Sequence, residues 1–241
     1  MKTQVIIPLA GSGARLNAGT PKALLKLNHK LMALYALEIF EDCGLVDSVV
    51  LVTQKQFFNE WLAAVQAAGL KKVKRIIEGG VTRADSVSNG LAALDDDTRI
   101  VLIHDGARPL VTGQLVSDAI WLCHDYSAVI AAVPVKPTVK QADTRTLTVT
   151  RTLDRSSLWE VQTPQVFHAE VIKRAYAERG PGTAALFTDD AVLVERLGVP
   201  VKILMGDYKN IKITTGEDIV IAEALLSGLS AEGSNGQAIG K

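Results

Sequence analysis

Short runs of Val, Ile and Leu recur along this chain, each followed by a stretch with helical spacing. That alternation narrows the possible folds more than any other feature. Thr3–Leu9, Asp47–Thr53, Val73–Ile77, Arg99–His104 and Ser127–Val133 predict strands. Their apolar character is nearly continuous rather than alternating, which predicts strands covered on both faces. Between them Leu31–Asp42, Gln56–Ala68, Ala84–Leu94 and Gly113–His124 predict helices. Alternating β and α implies an α/β fold with a mostly parallel sheet and right-handed crossovers. Sheets of that kind bind their ligands beyond the carboxyl ends of the strands, so the segments after Leu9, Ile77 and Ile103 are the places to look.

From Pro134 to Arg155 the rhythm changes. The segment is rich in Thr and Val and polar at alternate positions, with an Ala-Asp turn in the middle. It reads as a β-hairpin rather than another βα unit. An extended hairpin cannot bury its apolar side alone. It therefore either packs on another subunit as a projecting arm or folds back on its own sheet, and the pattern leaves both open. Helices at Ala169–Glu178, Asp189–Leu197 and Glu217–Leu226 and strands at Val201–Met205 and Ile211–Thr214 complete the body. One domain over residues 1–227 is expected, with a frayed, small-residue tail over 228–241.

Composition excludes several classes. At 241 residues and 25.8 kDa, folding would hide roughly 70% of the chain's surface, enough for one large core. Lys plus Arg total 26 and Asp plus Glu total 26, giving zero net charge. Nucleic-acid binding through bulk charge is not expected from such a balance. No apolar run approaches the ~18 residues that span a bilayer, and Pro8 and Gly11 interrupt the short N-terminal run, so neither membrane insertion nor a secretory leader is expected. Cys43 and Cys123 are the only cysteines. Two are too few for a disulfide scaffold or a Cys-based zinc site, and a reduced, cytoplasmic setting fits.

The first strand runs into Pro8-Leu9-Ala10-Gly11-Ser12-Gly13-Ala14-Arg15-Leu16, with Pro21-Lys22 beyond. A Gly-x-Gly turn after a strand can present backbone N–H groups to an anion. A dinucleotide fingerprint wants a third Gly where Leu16 stands, which disfavours a nicotinamide-dependent oxidoreductase, and a Gly-Lys-Ser/Thr phosphate loop is absent. What remains is a glycine loop carrying Arg15 and Lys22. Those two cations suit a triphosphate, whose charge must be matched on desolvation. The alternative is a pair of solvated surface cations.

Three further clusters stand near strand ends. Glu78-Gly79-Gly80-Val81-Thr82-Arg83-Ala84-Asp85-Ser86 can offer backbone and hydroxyl partners to a base edge, or can simply be a turn with a capped helix. In His104-Asp105-Gly106-Ala107-Arg108-Pro109, the Asp can hold a ribose hydroxyl or lie beside a metal–phosphate complex. Lys212 interrupts a strand-like segment. On a central strand it needs an anionic partner; on an edge it only guards against aggregation. Hydrolase chemistry fits poorly: no Gly-x-Ser-x-Gly elbow exists, and His29, His104, His124 and His168 show no HExxH spacing. Asp95-Asp96-Asp97 reads as a solvated acidic turn.

Taken together and in order, PLAGSGARL with Pro21-Lys22, GGVTRADSV, HDGARP, TLDRSSLW with QTPQVF, TDDA and NIKIT resemble the 2-C-methyl-D-erythritol 4-phosphate cytidylyltransferase family from about Thr3 to about Leu226. The resemblance implies a Rossmann-like body, helices on both faces of its sheet, and a β-arm over 134–155 that clasps a second subunit in a homodimer. It implies transfer of a cytidylyl group from CTP to methylerythritol phosphate with Mg²⁺ and release of pyrophosphate. Residue by residue, Arg15 and Lys22 would hold the triphosphate in the loop of Ala10, Gly11 and Gly13. Gly80 and Ser86 would help recognise cytosine, and Asp105 and Arg108 would face the ribose and polyol. Thr138 and Arg155 would reach the acceptor in the partner's site. Thr163, Thr188 and Lys212 would complete the acceptor pocket, with Arg15, Lys22 and Lys212 as the catalytic cations. Three positions depart from the family pattern: Leu9 replaces a small Ala, Ala23 a Gln, and His29-Lys30-Leu31 a Gly-Lys-Pro turn. The nearest rivals are a cytidylyltransferase for ribitol 5-phosphate or another sugar phosphate, and a non-catalytic CTP-binding protein on the same fold.

Overall fold

The computed structural model describes residues 1–9, 24–180 and 188–235, with side chains described up to Gly228. Its central element is a seven-stranded sheet. The strands in chain order are β1 (Thr3–Pro8), β4 (Ser48–Thr53), β5 (Val73–Glu78), β6 (Ile100–Ile103), β7 (Ala128–Pro134), β10 (Trp159–His168) and β11 (Lys202–Met205). Across the sheet they lie in the order β11-β7-β10-β6-β1-β4-β5. All neighbours are parallel except those of β10, which runs antiparallel to both β6 and β7.

Alternate residues of the buried strands feed two separate cores. Val5, Ile7, Val49, Leu51, Ile100 and Leu102 pack on one face. That face is covered by α1 (Met32–Asp42), α2 (Phe58–Ala67) and α4 (Gly113–Leu122). Ile6, Val50, Val52, Val101 and Ile103 point the other way. There α3 (Arg83–Ala92), α5 (Ala169–Ala177) and α6 (Ala191–Arg196) cover them. The double coverage explains why these strands read as continuous apolar runs. At Gly90 a Cβ would come within 2.6 Å of Ile6 Cγ2, so α3 can sit this close to β1 only with glycine there.

A third, smaller core lies beyond the sheet. Leu25, Leu27, Met32, Ala107, Leu110, Ile213 and Ala222 pack together. This core ties a short hairpin, β2 (Lys26–Leu27) and β3 (Lys30–Leu31), to the loop after β6 and to α7 (Gly216–Asn235). Asn28 and His29 turn that hairpin with φ of 45° and 68°, the left-handed pair a two-residue hairpin turn requires.

Several expectations need correction. The hairpin strand β3 takes Lys30 and Leu31, so α1 starts only at Met32. Ile211–Thr214 is not a strand: Ile211 N–H donates to Lys209 O and Ile213 N–H to Ala107 O, both at 2.8 Å, in place of a ladder. The buried apolar residue there is anchored under α7 rather than in the sheet. The strand β10 was not anticipated, because Gln162, Thr163, Pro164 and Gln165 interrupt its apolar run. Helix α7 continues to Asn235.

The hairpin of the 134–155 segment is β8 (Lys140–Asp143) and β9 (Thr148–Thr152). Asp143 Oδ1 closes its turn by accepting from the N–H groups of Arg145, at 2.8 Å, and Thr146, at 3.0 Å. Among the described residues these two strands pair only with each other, and every residue in them is exposed. The reading in which the hairpin folds back on its own sheet is therefore wrong. The acidic turn proves structural: Lys2 bridges Asp95 at 2.8 Å and Asp97 at 2.7 Å, and Arg75 meets Asp95 at 2.8 Å.

Candidate active site at the carboxyl end of the sheet

The parallel strands end on one side, and the reversed strand β10 begins there. That reversal brings Thr163, midway along β10, beside the residues that follow β6. Asp105 N–H donates to Thr163 Oγ1 at 3.0 Å, and Thr163 Oγ1 lies 3.0 Å from His104 Nδ1. The other ring nitrogen of His104, Nε2, is 3.0 Å from the carbonyl of Arg108. A carbonyl only accepts, so Nε2 carries the proton and Nδ1 accepts from the Thr163 hydroxyl. Burial pushes the pKa of His104 down to about 4, so the ring is neutral near pH 7. His104 thus braces the loop and is sealed from solvent.

Asp105 is the electrostatic centre of the site. Its Oδ1 accepts from Arg83 Nε at 2.8 Å, and its Oδ2 lies 2.5 Å from Lys212 Nζ. Burial alone would raise its pKa, but the charges of Arg83 and Lys212, with Arg108 behind them, hold it well below the usual carboxylate range. Each terminal nitrogen of Arg83 donates to Asp190, with NH1–Oδ1 at 3.0 Å and NH2–Oδ2 at 2.7 Å. Asp190 is fully buried and also accepts from the Tyr176 hydroxyl at 2.5 Å. Lys212 therefore has the anionic partner that its position demanded, although the segment carrying it is not a strand.

Arg108 is buried across the same opening. It donates to the carbonyl of Asn210 at 2.7 Å and to that of Val161 at 3.1 Å, while its Nε is buried without a partner. Asn210 in turn donates to the carbonyl of Thr163 at 2.9 Å. These bonds tie the Lys212 segment to β10 and to the loop after β6. Around them is a cavity of about 390 Å³ whose walls include Arg83, Asp105, Arg108, Thr163, Thr188 and Lys212.

Gly80 and Ser86 lie at the start of α3. Thr82 and Asp85 form a reciprocal cap there: Asp85 N–H donates to Thr82 Oγ1 and Thr82 N–H to Asp85 Oδ2, both at 3.1 Å. The capped-helix reading of this segment is therefore right. The Ser86 hydroxyl accepts from Gly80 N–H at 3.1 Å and donates to Thr82 O at 2.9 Å, and Ser86 is 1% exposed. It shapes the Gly80 turn from beneath. A Cβ on Gly80 would stand 2.2 Å from that of Asp85, so the turn closes over the helix cap only with glycine.

The structure thus gathers Asp105, Arg108, Thr163, Thr188 and Lys212 around one cavity. It places Thr138 and Arg155 elsewhere, exposed at the base of the hairpin arm, where Arg155 donates to the carbonyl of Lys136 at 2.7 Å. Ala10, Gly11, Gly13, Arg15 and Lys22 lie outside the described residues. Sequence reasoning passed over Arg83 and Asp190, although both stand inside quoted motifs, GGVTRADSV and TDDA. Two acidic residues and an Arg far apart in sequence carry no signal that they will meet.

A sequence model of the family described as IspD, 2-C-methyl-D-erythritol 4-phosphate cytidylyltransferase, matches residues 3–228. The protein of that name from Geobacillus kaustophilus is 43% identical over 235 residues, covering 96% of this chain and 100% of its own. The one from Alkaliphilus oremlandii is 41% identical over 228 residues, covering 93% and 95%. Among solved structures, the 4-diphosphocytidyl-2C-methyl-D-erythritol synthase of Anaerococcus prevotii superposes with a TM-score of 0.81 at 30% identity, over 94% of this chain and 96% of that one. The cytidylyltransferase of Francisella tularensis superposes with a TM-score of 0.79 at 31% identity, over 93% and 99%. The sheet order, the cavity at its carboxyl end and these matches across nearly the whole length agree: the chain belongs to the 2-C-methyl-D-erythritol 4-phosphate cytidylyltransferase family.

Proposed function

We infer that this chain transfers the cytidylyl group of CTP to 2-C-methyl-D-erythritol 4-phosphate, giving 4-diphosphocytidyl-2-C-methyl-D-erythritol and pyrophosphate, a step in isoprenoid precursor synthesis. An acceptor phosphate oxygen attacks the α-phosphorus of CTP, a P–O bond forms, and the bond to the β-phosphate oxygen breaks. The attacking oxygen is already anionic near neutral pH, so no general base is needed. The difficulty is bringing two anions together. At 4 Å two unit charges repel by about 4 kcal/mol at an effective dielectric of 20. Catalysis is then positioning plus charge neutralisation.

The single observation that supports this reading best is the cation pair around the cavity. Lys212 and Arg108 stand at one opening with a buried acid between them, fixed by bonds from three separate segments. In this reading Lys212 meets the transferring phosphates, Asp105 the ribose, and Arg108, Thr163 and Thr188 the acceptor. Arg15 and Lys22 hold the triphosphate with the amides of Ala10, Gly11 and Gly13, and the Gly80 turn faces the base. Thr138 and Arg155 reach the acceptor bound to a second subunit in a homodimer. Among the described residues no three His, Cys, Asp or Glu side chains converge into a metal cage. Mg²⁺ commonly binds through one or two carboxylates plus substrate phosphates; when bound here it would be held mainly by the CTP phosphates and would add positive charge there. Among those residues, too, no helix is long and apolar enough to cross a membrane, and a cytoplasmic enzyme handling soluble phosphates fits.

The test is pyrophosphate release from CTP and Mg²⁺ with methylerythritol phosphate or ribitol 5-phosphate as acceptor. Methylerythritol phosphate should be turned over and ribitol 5-phosphate barely. Lys212→Ala should lower kcat by about 100-fold, the scale of losing one charge-stabilising donor. Preference for ribitol 5-phosphate would overturn the acceptor assignment, and wild-type kcat in Lys212→Ala would overturn the role of that lysine.

A further inference from the structure

Asp105 carries two cations, and they are not equivalent. Lys212 is about a third exposed and sits on the cavity wall. Arg83 is locked: its guanidinium bridges Asp105 on one edge and takes Asp190 bidentately on the other. Asp190 is itself fixed by two further side chains. Tyr176 donates to its Oδ1, and Gln165 Oε1 accepts from the backbone N–H groups of Asp190 and Ala191, each at 3.2 Å. Gln165 lies in β10 and Tyr176 in α5, so the anchor reaches back into the core of the sheet. Burial works against the charge of Arg83, but the two carboxylates more than offset it and hold the guanidinium protonated.

We propose that Arg83, anchored by Asp190, is a positioning residue for the transfer reaction: it fixes the Asp105 carboxylate and keeps it neutralised, so that Lys212 can leave it for the incoming phosphates. The inference rests on the role given above to Lys212. Four charges close into a neutral set in the substrate-free state, two carboxylates against Arg83 and Lys212. When a polyanion enters, the exposed ammonium is the one free to turn toward it, and the bridging Arg stays behind to prevent an unpaired buried carboxylate. Without Arg83, Lys212 would be left as the one cation in direct contact with Asp105 among the described residues, with Arg108 only behind it, and the pair would withhold Lys212 from the substrate. The planar fork matters as much as the charge, because one ammonium cannot span two carboxylates.

The experiment is a double-mutant cycle between Arg83→Gln and Lys212→Ala, with kcat and both KM values measured by pyrophosphate release. Wild-type turnover in the same assay tests the reaction itself, separately from this proposal. Arg83→Gln should lower kcat at least tenfold while changing each KM less than threefold. In the Lys212→Ala background the same substitution should cost less than threefold in kcat. Arg83→Lys carries the test if Arg83→Gln lacks a cooperative thermal transition. It keeps the charge but not the bridge, so it should lower kcat at least threefold, and that loss should vanish in Lys212→Ala. An unchanged kcat, or an equal fold-loss in both Lys212 backgrounds, would overturn the proposal.

Discussion

At Gly106, in the loop that carries Asp105, a Cβ would come 2.0 Å from Leu9 Cδ2 and 3.2 Å from Ile7 Cγ2. Leu9 stands where the family pattern has a small Ala, so here the bulk at one position is accommodated by the lack of it at the other. Gly106→Ala should destabilise the fold by about 1–3 kcal/mol, the usual range for overpacking a full core. Leu9→Ala in the same chain should recover most of that, which denaturant titration of the two single variants and the double variant would show. Additive losses would mean that the two side chains do not compete for one space. A second prediction follows from His104. Its imidazole titrates near 6.5 when unfolded and about 4 when folded. Between those values the unfolded chain binds the extra proton, so stability falls as pH drops through that window and levels off below it. The loss should be about 2 kcal/mol by pH 5. Asp105 has the depressed pKa of a paired acid, so its contribution is lost only lower, as pH falls below the ordinary carboxylate range. His104→Gln cannot titrate and should flatten the slope between pH 7 and pH 5; an unchanged slope would assign the acid sensitivity elsewhere. Only part of this was legible in the sequence. That Asp105 and Lys212 matter could be read from motif position. That His104 is a neutral brace depends on a carbonyl and a hydroxyl from two other segments.

Elements were easiest to read where one face pattern ran uninterrupted. β1, β4, β6 and β7 are buried on both sides and announce themselves as Val and Ile runs. β10 was hidden by the polar residues that build the site, since Gln165 spends its side chain on Asp189 and on the backbone at the start of α6. The residues that made this strand unrecognisable are therefore the ones the cavity needs. Ile211–Thr214 misled in the opposite sense, because its alternation reflects a single anchor, Ile213, under α7. The arm is a third case. Its period-two pattern was right, but nothing among the described residues covers it: Leu147 is 84% exposed and Val149 is 55% exposed. If these residues meet a second subunit, Val149→Glu buries a charge on association. It should weaken the dimer at least tenfold, about 1.4 kcal/mol, with the far-UV spectrum unchanged because the site is solvent-exposed in the single chain. Sedimentation across a concentration series would read this, and an unaltered dimer would remove Val149 from the interface.

At the scale of the whole molecule, one chain holds the candidate cavity at the carboxyl end of its sheet, while Thr138 and Arg155 stand out on a projection that is not among the described residues lining it. If both residues serve the acceptor of another copy, a two-fold dimer would contain two composite sites. Each site would combine the body of one subunit with the arm of the other. That arrangement makes an arm defect and a body defect complementary. Arg155→Ala spoils an arm and Lys212→Ala spoils a body, so each homodimer has two damaged sites. In a mixed dimer, one site receives both defects and the other receives neither. Random reassociation of equal amounts makes about half the dimers mixed, and one of their two sites is intact. Activity should then return to about a quarter of wild type from two nearly inactive preparations. A site built wholly within one chain gives no such recovery, because every cavity still contains one lesion. The mixing assay thus separates a shared site from a self-contained one without requiring that either variant be fully inactive, provided the subunits exchange, which a differently tagged wild-type pair would verify.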